Sequence, residues 1–102
     1  MAEERTVQLR RYRIVEGELT AFLDWWRTRL LPARLAFGFV LETAFVVPET
    51  DEFVWAVSVA GDGAAFAALD AAWTSSPERA VAFDGVSRRV ASMDLRIAVP
   101  AV

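Results

Sequence analysis

Residues 39–60 read FVLETAFVVPETDEFVWAVSVA, and this stretch decides the fold. Two runs rich in Val, Phe and Trp, 39–47 and 53–60, are separated by Pro-Glu-Thr-Asp-Glu, a five-residue polar break that opens with a proline. Short β-branched and aromatic runs bounded this way are strands, and two of them joined by a short polar loop make a hairpin. The second run offers apolar side chains in both directions, Phe53, Trp55, Val57 and Val59 one way and Val54, Ala56 and Ala60 the other. Such a strand belongs in the middle of a sheet, and both of its faces need cover.

Working outward, the hairpin is flanked on each side by a helix and then a strand. Before it, Leu19, Phe22, Leu23, Trp26 and Leu30 share one face at the helical period. Pro32 lacks an N–H and its ring clashes with the Thr28 carbonyl, so the helix is expected to kink or restart at Leu31-Pro32 before Gly38 stops it. After the hairpin, Asp62-Gly63 opens a second helix, interrupted around Ser75-Ser76 and restarted with Ser76 as N-cap and Pro77 at the first helical position. The outermost segments are TVQLRRYRIV, 6–15, and VASMDLRIAV, 90–99; the latter alternates Ala91, Met93, Leu95, Ile97 and Val99 against Ser92, Asp94 and Arg96.

The order β-α-β-β-α-β predicts one α+β domain over residues 1–102. Right-handed crossovers place both helices on one face of a four-stranded antiparallel sheet, the ferredoxin-like βαββαβ arrangement, with the first and third strands central. Strands are expected near residues 6–15, 38–48, 52–60 and 88–99, and helices near 17–36 and 63–83. The other sheet face is left bare, and a second copy is the expected cover.

Composition narrows the chemistry. The hydrophobic fraction is 55% and mean hydropathy +0.30, yet no apolar run approaches the ~18 residues of a membrane span. The opening MAEERTVQLRR has no apolar segment leading to small cleavage-site residues, so no signal peptide is expected, and a cytoplasmic location is. Net charge is −3, and the one basic cluster, Arg10, Arg11 and Arg13, lies inside a strand, which argues against a nucleic-acid partner. The chain contains no Cys, His, Lys or Asn, so all 11 basic residues are Arg. Disulfides, zinc clusters, histidine or cysteine haem ligands, a histidine general base and a Schiff-base lysine are thereby excluded, and neither metal nor cofactor is expected.

Tyr12-Arg13-Ile14 followed by Gly17, Trp25-Trp26, Leu30-Leu31-Pro32, Gly38-Phe39, Pro48-Glu49-Thr50, Phe53-Val54-Trp55, and Trp73 ahead of Ser76-Pro77-Glu78-Arg79 resemble, in that order, the NIPSNAP domain. The resemblance runs over nearly the whole chain. It implies membership of the dimeric α+β barrel superfamily, in which two ferredoxin-like protomers meet sheet against sheet, and so a homodimer through the sheet faces. It implies no agreed activity. Superfamily relatives include cofactor-independent monooxygenases and haem-degrading enzymes, and the latter typically use a histidine that this chain lacks.

Seven residues stand out as candidate ligand-binding groups: Tyr12, Trp25, Arg29, Trp55, Asp70, Trp73 and Arg79. Trp25 lies about 100° from Trp26 on the helix wheel, with Arg29 on its side. The pair reads as the rim of a cavity, as a tryptophan covered by its own arginine, or as a surface against a partner protomer. Asp70 shares the stripe of Phe66, Leu69 and Trp73, where a carboxylate needs a partner. Arg79 would supply a salt bridge; otherwise Asp70 reads as a general base in a pocket. Tyr12, Arg13 and Trp55 fall on the two central strands. A pocket between the sheet and the first helix is expected, with Arg29 and Asp70 as its buried charges; no catalytic residue is assigned. Two functions remain open: a small-molecule protein taking an apolar or aromatic ligand in a helix-to-sheet cavity, as a cofactor-independent monooxygenase-like enzyme would, or a non-catalytic scaffold whose tryptophans are structural.

Overall fold

In the computed structural model, which describes residues 4–102, β2 (Val40–Val47) and β3 (Glu52–Ala60) form the hairpin. Residues 1–3, part of the stretch read for a signal peptide, lie outside the described residues. The loop holds one 3-10 turn, Pro48–Thr50, and closes through Asp51 in the left-handed region at φ 51°. β1 (Arg5–Ile14) pairs antiparallel with β3 on one side and with β4 (Val90–Ala98) on the other, giving the order β2-β3-β1-β4 with β1 and β3 central. The fold is the α+β, ferredoxin-like arrangement expected from the sequence.

The first helical stretch departs from expectation at Pro32. α1 (Leu19–Trp25) passes through a wider π-helical turn, Trp26–Leu30, into α2 (Leu31–Phe37), with no restart. Within that turn the Leu31 N–H reaches back to the Trp26 carbonyl. The longer hydrogen-bond step widens the helix just where an α turn would drive the Pro32 ring into the Thr28 carbonyl. Gly38 ends the stretch at φ 127°, a conformation that any side chain would strain.

The second stretch breaks where expected, into α3 (Gly63–Thr74) and α4 (Pro77–Phe83). Both N-caps form. Asp62 Oδ1 accepts the Ala65 N–H at 3.0 Å, and Ser76 Oγ accepts the Arg79 N–H at 3.0 Å while donating to the Trp73 carbonyl at 2.7 Å.

Strand alternation sorts the sheet. Gln8, Arg10, Tyr12 and Ile14 on β1 and Phe53, Trp55, Val57 and Val59 on β3 are buried beneath the helices. Their aromatic rings meet edge to face: Trp26 lies 5.4 Å from Trp55 at 87°, and Phe22 lies 5.3 Å from Phe53. β4 follows its predicted alternation except at a register shift near Ile14, which places Val90 rather than Ala91 opposite it. The helices stop short of this edge strand. Met93, Leu95 and Ile97, paired with Tyr12, Arg10 and Gln8 on the helix side, remain 53%, 42% and 59% exposed.

Among the described residues no layer covers the opposite sheet face. Leu9, Val40 and Phe45 are exposed there, framed by the ion pairs Arg5–Glu42 at 3.1 Å and Arg11–Glu52 at 2.8 Å. This face is mixed, an apolar middle between charged margins, rather than apolar throughout.

The Ser76 cap joins two helices by both a donor and an acceptor. Ser76→Ala should lower unfolding free energy by roughly 1–2 kcal/mol in urea titration, without changing the far-ultraviolet circular dichroism at low denaturant. A loss within error of zero would mean that the break needs no cap.

Candidate functional site

A cavity of about 280 Å³ lies between the helices and the β1–β4 side of the sheet. On β1 the alternation sets Gln8, Arg10 and Tyr12 side by side along its floor. Arg10 donates from Nε to the Tyr12 hydroxyl at 2.7 Å and from Nη1 to Gln8 Oε1. The guanidinium is thereby fixed between its two neighbours. Because the Tyr12 oxygen accepts, its own O–H proton must point elsewhere, and the cavity borders it.

The opposite wall carries Arg34, delivered by α2 and only 5% exposed. Its guanidinium lies over three rings, Phe39 at 4.8 Å, Trp73 at 5.2 Å and Trp55 at 5.4 Å. Arg10 lies over the same Trp55 ring at 5.4 Å. Arg34 Nε and Nη1 meet no acceptor among the described residues, and no acidic group forms an ion pair with it there. Burial first, and the nearby Arg10 second, depress its pKa from the ordinary guanidinium range to about 10. At that value it remains charged at neutral pH. Cation–π contact with three rings offsets part of the cost of removing the charge from water.

Five of the seven residues singled out from the sequence border this cavity: Tyr12, Trp25, Asp70, Trp73 and Arg79. Trp55 does not. It is fully buried beneath the wall, with both arginines resting on it. Arg29 is elsewhere: its exposed guanidinium donates from Nη2 to the Val81 and Asp84 carbonyls at 2.7 and 3.1 Å, gripping the end of α4. Trp25 is not covered by that arginine; it is buried, its Nε1 donates to the Ala82 carbonyl at 2.8 Å, and its ring meets Phe83 edge to face. The reason is the two-helix layer: α4 lies beside α1, so the first helix buries a second stripe. Asp70 is half-buried at the cavity and forms no ion pair with Arg79, whose guanidinium lies 4.4 Å over Phe83 instead. Arg13 is exposed on the far face of β1.

The buried charges are therefore Arg10 and Arg34, not Arg29 and Asp70. Arg10 carried a signal, since it lies two residues from Tyr12 and so on the same face of its strand. Arg34 carried less. It follows Leu30 by four residues, about 40° further round at the helical period, and so lies at the edge of the apolar stripe, where an arginine ordinarily reaches for solvent. Among the described residues no three acidic side chains gather to hold a metal ion, and no helix is long and apolar enough to cross a membrane.

Comparison with solved structures places this geometry. A NIPSNAP domain protein from Burkholderia xenovorans superposes with a TM-score of 0.81 at 18% identity, covering 94% of each chain. A NIPSNAP family protein from Agrobacterium tumefaciens does so at 0.84 and 18%, covering 98% of this chain and 89% of its own. The chain has the NIPSNAP fold. A candidate antibiotic biosynthesis monooxygenase from Nitrosomonas europaea shares the same NIPSNAP-like architecture more loosely, at 0.71 and 13% identity over 99% of this chain and 94% of its own. No family model matches the sequence, and no curated protein matches it. At these identities the likeness concerns the fold alone.

A buried cation without an acid costs stability that an apolar residue of similar length would not. Arg34→Met should raise unfolding free energy by roughly 1–3 kcal/mol, read as a higher Tm. A lower Tm would mean that the three cation–π contacts outweigh desolvation.

Proposed function

We propose that this protein binds a small apolar or aromatic molecule carrying an oxygen function, held in the helix-to-sheet cavity, and that it does so as a homodimer joined through the open sheet faces. One observation carries the binding reading: Arg34, buried with no acidic partner among the described residues, borders a cavity walled by Trp25 and Trp73. Guanidinium donors orient a ligand oxygen while the aromatic walls take up its apolar body. A scaffold with purely structural tryptophans leaves Arg34 unexplained, because an interior built only for stability pairs its buried charges. A cofactor-independent monooxygenase-like activity would add a substrate whose own electron-rich ring supplies the electrons. Its support is the Nitrosomonas europaea neighbour, at the level of fold.

Titration of the intrinsic tryptophan fluorescence with a panel of phenols and aromatic acids tests the binding reading. At least one member should quench saturably, and Arg34→Gln should weaken it by roughly 1.5–3 kcal/mol, the scale of a hydrogen bond to a charged group. Arg29→Gln should leave the affinity unchanged. Absence of any response across the panel would favour the scaffold.

The dimer reading rests on Leu9, Val40 and Phe45, which are exposed among the described residues. Light scattering at micromolar concentration should give twice the chain mass. Leu9→Glu, placing a charge in the middle of that face, should shift the species to monomer, and a wild-type monomer would refute the assembly.

A further inference from the structure

We propose that the ligand is an amphipathic organic acid, its carboxylate seated between Arg34 and Arg10 and its apolar body laid along the groove that leads from the cavity between α1, α4 and the start of β4. The inference rests on the binding reading above and specifies the ligand's charge and shape. Charge comes first. Three guanidiniums, Arg10, Arg34 and Arg79, border the cavity against a single carboxylate, Asp70. Asp70 forms no ion pair with any of them among the described residues. Arg10 and Arg34 rest on one indole, and after burial the Arg10 charge is the next cause that lowers the Arg34 pKa. A bound anion removes that conflict; a neutral carbonyl does not. A planar carboxylate also matches the fork geometry of a guanidinium already held over aromatic rings.

Shape follows from what lies beyond. The cavity shares Phe22, Trp25, Phe83, Val90 and Met93 with a neighbouring groove of about 490 Å³ that continues past Val86. Of its own charged groups, Arg88 donates to the Val90 and Ala91 carbonyls, and Arg89, whose Nε makes no hydrogen bond, has an acidic counterpart in Glu18 at 3.5 Å, which Arg34 lacks. The charged end thus lies inside, and an apolar channel leads away from it. A ligand that satisfies both has one acidic head and one hydrocarbon or aryl-alkyl tail.

Isothermal titration of the full chain with benzoate, 3-phenylpropanoate and 5-phenylpentanoate, each beside its primary amide, tests this directly. Each acid should bind at least about tenfold tighter than its amide, and affinity should rise by roughly fourfold per added methylene until the groove is filled. Arg34→Gln should bring acid and amide together while keeping the dependence on length. Phe83→Ala should flatten that dependence while keeping the preference for acid, circular dichroism confirming that both variants fold. Equal binding of acids and amides overturns the anionic ligand yet leaves a binding cavity standing. Acids preferred at one affinity whatever their length overturn the tail groove. Absence of binding by every probe overturns the binding reading itself, and this inference with it.

Discussion

An indole ring has an electron-rich face and an electropositive edge, and Trp55 meets neighbours suited to both. Trp26 and Tyr12 stand perpendicular to it at 5.4 and 6.1 Å, while the guanidiniums of Arg10 and Arg34 lie over its ring. Such contacts are each worth about 0.5–1.5 kcal/mol between rings and more for a desolvated cation. The aromatic core of the fold and the charged lining of the cavity therefore share one support. A smaller residue at this position would leave a void at the centre of the sheet and remove the surface that makes two like charges tolerable so close together.

The first helix performs two packing tasks at once, and this explains its composition. Its lower stripe, Phe22, Trp26 and Leu30, lies on the sheet, and a second stripe including Trp25 lies against α4. Arg29 closes the lateral contact by donating to the Val81 and Asp84 carbonyls at the end of α4, the former shared with the Asp84 N–H. Two adjacent tryptophans and a nearby arginine thus mark a helix packed from two directions.

What was legible in the sequence was local. Hairpin, alternation, caps and glycine stops depend on residues within a few positions of one another, and each formed near its expected place. The cavity was legible in part, because Tyr12, Trp25, Asp70, Trp73 and Arg79 all border it. The error lay in the arginines. Arg29 was drawn to Trp25 by helical spacing alone, whereas its true partners are 52 and 55 residues away. Arg34 lies at the edge of the apolar stripe, where an arginine ordinarily reaches for water, and its burial depends on the Phe39, Trp55 and Trp73 rings that the tertiary fold brings together. Leu95 and Ile97 share one face by alternation, and that face is the helix side, yet they lie on an edge strand beyond the reach of the helices.

The π turn has a consequence for descent. An α-helix that gains one residue must either rotate everything beyond the insertion by about 100° or absorb the extra residue in a single wide turn. Trp26–Leu30 takes the second course, its surplus carried by Arg27, Thr28 and Arg29 on the solvent side, while Arg34 still turns inward beyond it. Helix length and helix aim are thereby uncoupled at this one point, so sequences with this fold can differ there by a single codon and keep the residues on either side in the same spatial register.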